Sequence, residues 1–189
     1  IVITGGLGYI GTELCKIYSG ISRNNDILVI DNRFISERVN QLRNWGINFI
    51  HGDILDFDLL KKYLNNADVV HHLAGITEVP RTSKESDAEK NNKIKQVASK
   101  GTKNVIDAIP DSCRIIFPST HVVYEGINTS KKEISEEETI SPILIYGTSK
   151  ASNEEQIKAS GKRYVILRLG SVYGYSTDTT RLDIMPNLF

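Results

Sequence analysis

The sequence predicts an α/β protein built on a doubly wound parallel sheet, and three observations predict it. Short β-branched runs alternate with longer polar segments of helical spacing, the pattern of repeated βαβ units. The short runs are apolar throughout, as suits strands covered by helices on both faces. The first run leads directly into a glycine-rich turn and then a helical segment. Right-handed crossovers place the ligand crevice at the carboxyl ends of such strands.

In chain order, strands are predicted at Ile1–Thr4, Ile27–Ile30, Ile47–Ile50, Val69–Leu73, Ile115–Phe117 and Tyr164–Leu169. Helical spacing spans Tyr9–Ser19, Ser36–Trp45, Phe57–Leu64, Ser86–Ile109 and Tyr146–Ala159. The Ser86–Ile109 helix is polar, with Ile94, Val97, Val105 and Ile106 as its buried side. Trp45 is expected to pack the second helix onto the sheet. The charged stretch from Lys131 to Glu138 reads as a solvated loop. Residues 1–175 are expected to form the main domain and 176–189 to open a smaller one. The chain begins at Ile1 inside a strand and stops at Phe189, so residues are expected to be missing at both ends.

Composition narrows the function classes. The 23 basic and 23 acidic residues cancel, leaving no excess charge to neutralise phosphates, so no nucleic-acid partner is expected. No run approaches the roughly 18 apolar residues of a membrane span, so no membrane partner is expected either. Cys15 and Cys113 are too few and too scattered for a disulfide framework or a zinc site. Both read as buried thiols in a reducing, cytoplasmic setting. His51, His71 and His72 sit at or within strands without a carboxylate or cysteine at ligand spacing. They read as satisfied histidines of the core or crevice edge, and no metal is expected.

The turn after the first strand is Gly5-Gly6-Leu7-Gly8-Tyr9-Ile10-Gly11. Gly5 permits a tight turn, Gly8 lets the backbone approach a pyrophosphate, and Gly11 allows close helix–strand packing. The helix opened by Tyr9 and Ile10 then offers free N–H groups and a positive partial charge to the anion. The second strand ends in Asp31, twenty residues beyond Gly11, where an acid accepts hydrogen bonds from the adenosine ribose. A helix cap or loop aspartate is the alternative. Arg33, just past it, is the residue type that accepts a 2′-phosphate instead. Asp53, after the third strand, either contacts adenine or caps the next helix.

Tyr146-Gly147-Thr148-Ser149-Lys150 places a phenol and an ammonium one turn apart on one helix face. An unperturbed tyrosine titrates near 10. A neighbouring ammonium and a positively charged nicotinamide both favour phenolate, making a base usable at neutral pH. Lys150 is also placed to hold the nicotinamide ribose. Pro118-Ser119-Thr120 follows the fifth strand, so Thr120 would face the Tyr146 helix and hydrogen-bond the oxygen whose proton Tyr146 takes. Separately, the first pair could be a surface contact and the second a loop hydroxyl.

Together, Thr4–Gly11, Asp31, His72-Leu73-Ala74-Gly75, Ser119-Thr120 and Tyr146–Lys150 resemble the extended short-chain dehydrogenase/reductases. The resemblance is to their NAD-dependent epimerase/dehydratase branch, which acts on nucleotide sugars. Val123-Tyr124, Ser141–Tyr146, Glu154 and Leu167–Gly174 extend it over nearly the whole chain. The resemblance implies a Rossmann fold whose smaller C-terminal substrate domain is mostly absent. It implies Thr120, Tyr146 and Lys150 as the catalytic set. NAD would be lined by Gly5, Gly8, Tyr9, Ile10, Gly11, Asp31, Asn32, Asp53, Ile54, Leu73, Ala74, Gly75 and Ser119, with Tyr146 and Lys150. A nucleotide-sugar substrate would meet Thr120, His121, Ser171 and Tyr173. Relatives often pair through helices equivalent to Ser86–Ile109 and Tyr146–Ala159, implying a homodimer.

Two departures stand out. Ala98 occupies the place of an asparagine that relatives carry three residues before the Gly101-Thr102 pair, and Glu125 interrupts the passage from Tyr124 to Gly126. The leading function is an epimerase that transiently oxidises a sugar hydroxyl, with Tyr146 as base and hydride transfer to retained NAD. A dehydratase, decarboxylase or reductase on the same scaffold, or a non-catalytic NAD-binding regulator, are the alternatives. Family 4,6-dehydratases carry an Asp-Glu pair directly after the threonine. This chain has His121-Val122, which favours the epimerase.

Overall fold

The computed structural model describes residues 1–21, 26–77, 87–128 and 133–174. Its elements alternate as β1 (Val2–Thr4), α1 (Tyr9–Ile21), β2 (Leu28–Asp31), α2 (Ser36–Asn44), β3 (Asn48–His51), α3 (Phe57–Leu64) and β4 (Val69–His72). They continue as α4 (Ala88–Ala108), β5 (Arg114–Thr120), a 3-10 turn at His121–Tyr124, α5 (Ile145–Ala159) and β6 (Arg163–Leu169). All six strands are parallel, in the order β3-β2-β1-β4-β5-β6. This is the doubly wound Rossmann arrangement, whose order reverses between β1 and β4.

Alternation along the strands divides the core in two. Val2, Ile30, Val70, Ile115 and Phe117 face one side, with Leu60 and Leu64 of α3, Val105 of α4 and Ile157 of α5. Ile3, Val29 and Cys15 face the other, with Val39 and Leu42 of α2. Each such side chain contributes roughly 1.5–3 kcal/mol on burial. Trp45 packs on the second cluster, as expected. Ile94, Val105 and Ile106 are buried on α4 and Val97 is partly so. Both cysteines are buried, and burial pushes the Cys15 thiol up to about 12.

Cover on both faces fails for one strand. On β6, Val165 and Leu167 are 40% and 42% exposed, because α1 and α2 overlie the β1–β3 half on that side. Ser86, Lys131 and residues 175–189 lie outside the described residues, whereas 133–138 are largely exposed, as a solvated loop should be. Among the described residues no helix is long and apolar enough to cross a membrane.

β5 runs three residues beyond its predicted end. Its pairing with β4 stops at Ile116, while its pairing with β6 continues to Thr120. Pro118, which has no N–H, therefore falls past the β4 ladder. The extension carries Ser119 and Thr120 to the mouth of the crevice as strand residues.

Candidate active site

The loops after β1 and β4 meet at the switch point. Gly5 has φ +71°, and a methyl there would lie 2.7 Å from the Ala74 nitrogen, so both conformation and space require glycine. A methyl at Gly11 would lie 2.6 Å from the Gly5 carbonyl oxygen, which seats α1 against the turn. At Gly8 the nearest atoms are the Gly5 carbonyl oxygen at 3.2 Å and Arg33 Nη2 at 3.6 Å. The Thr4 hydroxyl accepts from the Ala74 N–H at 3.3 Å and locks the two loops together. Bare backbone at the positive end of a helix is the cradle a pyrophosphate needs, so these residues fit one.

Asp31 closes β2 and is buried. It accepts from the Leu7 N–H at 3.0 Å and from the Arg33 N–H at 3.0 Å. The Arg33 guanidinium adds donors at 3.2 and 3.4 Å, so Asp31 is paired with an arginine whose side chain is half exposed. A ribose reaching Asp31 must displace that movable guanidinium and leave the backbone donors in place. Arg38 of α2 also reaches the loop, donating to the Leu7 carbonyl.

Asp53 is not the cap of α3, which Asp56 supplies by accepting from the Leu59 N–H at 3.0 Å. Asp53 instead accepts from the Leu55 N–H at 2.9 Å and from Asn32 Nδ2 at 3.0 Å, tying together the ends of β2 and β3. Ile54 corrects the expectation of a cofactor-lining side chain. It is buried in the core, where a methyl on Gly101 would strike its Cδ1 at 2.3 Å, and its carbonyl accepts from Asn104. Leu73 likewise packs its side chain on the core, and its N–H donates to the Thr4 carbonyl. Gly75 is exposed beyond Ala74.

Lys150 points beneath the end of β5. Its Nζ donates to the Pro118 carbonyl at 2.8 Å and lies 4.4 Å from the Phe117 ring centroid and 5.9 Å from that of Tyr146. Burial pulls its ammonium down to about 8, against the opposing pull of Glu154. Tyr146 occupies the first turn of α5, so the positive helix end and the Lys150 charge both favour its phenolate form. Gly147 lets this helix close on the 3-10 turn: a methyl there would lie 3.2 Å from the Val122 carbonyl oxygen. Thr120 caps that turn by accepting from the Val122 N–H at 3.2 Å, which leaves its own hydroxyl proton to donate.

Ser119 differs from expectation. Its hydroxyl donates to Glu154 at 2.5 Å, away from the crevice, so its side chain is not a cofactor ligand. Glu154 is fully buried and also accepts from Arg168 of β6, with Nη2 at 2.7 Å and Nε at 3.1 Å. Arg168 further donates to the Tyr124 hydroxyl and, at 2.9 Å, to the Glu136 carbonyl. Burial raises the Glu154 carboxyl, but the hydrogen bonds from Arg168 and Ser119 outweigh it and hold it below the ordinary range.

The remaining residues frame the site. His121 donates Nδ1–H to the Leu169 carbonyl at 3.1 Å, leaving Nε2 as its other polar atom. Ser171 and Tyr173 are exposed beyond β6, while Tyr9 donates its hydroxyl to the Gly174 carbonyl at 2.8 Å and Ile10 is part exposed. His72 is a satisfied core histidine, with Thr4 Oγ1 at 2.9 Å and Thr102 Oγ1 at 3.0 Å. Burial and the Lys150 charge lower it to about 3, so it is neutral. His71 pairs with the Tyr18 hydroxyl at 2.7 Å. The Arg33, Arg38 and Arg168 contacts were not evident in the sequence; only Glu154 carried a signal, as part of the wider resemblance.

The chain is similar to known proteins over nearly all its length. Residues 1–188 match the family described as NAD dependent epimerase/dehydratase. The UDP-glucose 4-epimerase of Mycoplasma genitalium is 31% identical over 212 residues, covering 100% of this chain and 58% of that protein. The dTDP-D-glucose 4,6-dehydratase of Dictyostelium discoideum is 27% identical, covering 92% of this chain and 44% of that one. A crystal structure of UDP-glucuronic acid 4-epimerase from Bacillus cereus in complex with NAD gives a TM-score of 0.79 at 28% identity, covering 99% of this chain and 60% of that chain. The chain thus spans about half the length of the curated relatives it matches.

Proposed function

Because the chain belongs to the NAD dependent epimerase/dehydratase family, we propose that the whole protein is a nucleotide-sugar 4-epimerase in which Tyr146 moves the proton. The observation that carries this reading is the Lys150 ammonium, anchored on Pro118 and placed beside Tyr146 at the positive end of α5. NAD is the cofactor, held by the Gly5–Gly11 backbone and by Asp31; when bound, it supplies the two-electron oxidant that the substrate carbon needs. Tyr146 as phenolate takes the proton of the sugar 4-hydroxyl, and the Thr120 hydroxyl donates a hydrogen bond to the same oxygen. Lys150 keeps the phenol acidic enough to act near neutral pH. The resulting keto-sugar turns, and Tyr146 returns the proton to the oxygen on the opposite face.

The residues after Thr120 separate epimerase from dehydratase. Dehydration needs an additional acid and base over the sugar, to remove a proton beside the ketone and expel water. Val122 cannot move a proton. His121 has one ring nitrogen already held by the Leu169 carbonyl, so it covers at most one role. Epimerisation needs neither. Full-length protein given a UDP- or dTDP-hexose in deuterated water should interconvert C4 epimers without change of formula, as read by mass spectrometry and sugar NMR. Loss of one water from the sugar nucleotide would replace this reading with the dehydratase.

Asp31 predicts NAD over NADP. Two like charges at contact cost roughly 1–4 kcal/mol at effective dielectric constants of 80 to 20, and a 2′-phosphate would meet that carboxylate. Arg33 moderates the repulsion because its guanidinium already neutralises Asp31. Arg33→Ala should therefore weaken NADP further while NAD binds as well or better, since Asp31 gains free acceptors. Calorimetric titration of both proteins with both cofactors checks this. Equal or tighter NADP binding by the wild type would remove Asp31 from the ribose site.

A further inference from the structure

Behind the Tyr146–Lys150 pair lies a cavity of about 30 Å³ between α4, α5 and the end of β5. A buried water needs roughly 10–15 Å³ of such space and two to four polar partners. Ser149 lines this cavity, is 8% exposed, and its Oγ has no hydrogen-bond partner among the described residues. The usual outlet for a helical serine is the carbonyl four residues back, here that of Ile145. That carbonyl already accepts from the Thr148 hydroxyl at 3.0 Å. Asn153, on the same wall, gives its amide hydrogens to the Ala98 carbonyl at 2.8 Å and to Thr102 Oγ1 at 2.7 Å. Ala98 itself offers the cavity only a methyl group. Lys150 also lines the space, and the Pro118 carbonyl accepts one of its three ammonium hydrogens.

We propose that Ser149 holds one buried water in this cavity, and that the water accepts a hydrogen bond from Lys150 Nζ. The water donates in turn to Ser149 Oγ, satisfying a hydroxyl that is otherwise orphaned. Ser149 is then a positioning residue, acting on substrate and cofactor only through the lysine. An acceptor on the ammonium favours its charged form and opposes the burial that lowers it. The other titratable groups facing Lys150 are Tyr146 and Glu154 on α5 and His72 on β4, and Arg168 of β6 faces it only through Glu154. His72 stays neutral above about pH 3 and does not compete as a proton donor. The α4 wall contributes Ile94, Ala98 and Thr102, none of which titrates.

Two variants of the full-length NAD-loaded protein test this. Ser149→Ala removes the hydroxyl, and Ala98→Val fills the space while leaving Ser149 intact. High-resolution crystals of the wild type should show a water within hydrogen-bond distance of both Ser149 Oγ and Lys150 Nζ, absent from both variants. Each variant should also move the alkaline limb of NAD affinity, and of turnover, to lower pH by roughly one unit. A purely structural role for Ser149 would not make Ala98→Val shift that limb. A dry cavity in the wild type overturns the proposal, as do two variants that keep the wild-type limb. The kinetic arm rests on the proposed epimerase function, whereas the water and the NAD titration do not. A hydrated protein that turns over no nucleotide sugar would therefore sink that function alone.

Discussion

Tyr146→Phe should lower turnover of the full-length protein by about 10²–10⁴-fold, the scale of a positioned general base. The ring and its place beside the Lys150 ammonium are kept, so NAD affinity should change little. What disappears is the oxygen that carries the proton between the two faces of the sugar. Lys150→Met makes the contrasting variant. It removes the charge that favours phenolate and the donor on the Pro118 carbonyl, so both turnover and NAD affinity should fall. Steady-state rates and cofactor titration on the two variants separate the roles. Near-normal rates in Tyr146→Phe would end the assignment of that hydroxyl as the base.

The second large effect is on stability, at Arg168. Glu154 has no exposed surface, and its oxygens are matched by Arg168, by Ser119 and, at 3.6 Å, by Lys158. Arg168→Met strands a buried carboxylate, and losses of about 3–5 kcal/mol follow when one partner of such a pair is removed. Replacing Arg168 and Glu154 together by apolar residues should recover most of that loss. The pH dependence distinguishes the cause. In the wild type the Glu154 pKa is depressed, so its contribution is present above the unfolded value of 4.5 and fades as pH falls through the folded one. In Arg168→Met, burial acts with less opposition and raises the folded pKa above 4.5, so the variant should regain stability on mild acidification. Urea unfolding between pH 7 and pH 5 measures this. A loss of under about 1 kcal/mol, or no recovery on acidification, would mean that the pair is not the mainstay described.

Most of the architecture was legible because parallel strands buried on both faces are written as continuous apolar runs. Val69–Leu73 and Ile27–Ile30 are of this kind, and both are strands within a residue or two of their predicted limits. The misread end of β5 has a definite source. Proline ordinarily punctuates a strand, but Pro118 lies where only the β6 ladder continues. The glycine turn, Asp31 and the Tyr146–Lys150 spacing were visible because each is a local pattern with its own geometry. Ser119 was not, since nothing near it in sequence shows that its hydroxyl turns to a glutamate on the following helix. Arg33 was visible as a residue type, and its pairing with Asp31 became clear only from the fold. Ile54 was misassigned because adjacency to Asp53 says nothing about the direction of a side chain. Its direction is set by the missing Cβ of Gly101, a helix away.

The strand order has a consequence for descent. The groups that grip the adenosine side, Gly5–Gly11, Asp31 and Asp53, all belong to β1–β3 and their loops, on one flank of the sheet. Thr120, Tyr146 and Lys150 belong to a single strand–helix unit on the other flank, within residues 120–150. The two sets meet only along the seam where β1 lies beside β4. A chimera joined in the connection between β3 and α3 would thus inherit its dinucleotide preference from one parent and its proton chemistry from the other. Either trait can drift across generations without dragging the other with it.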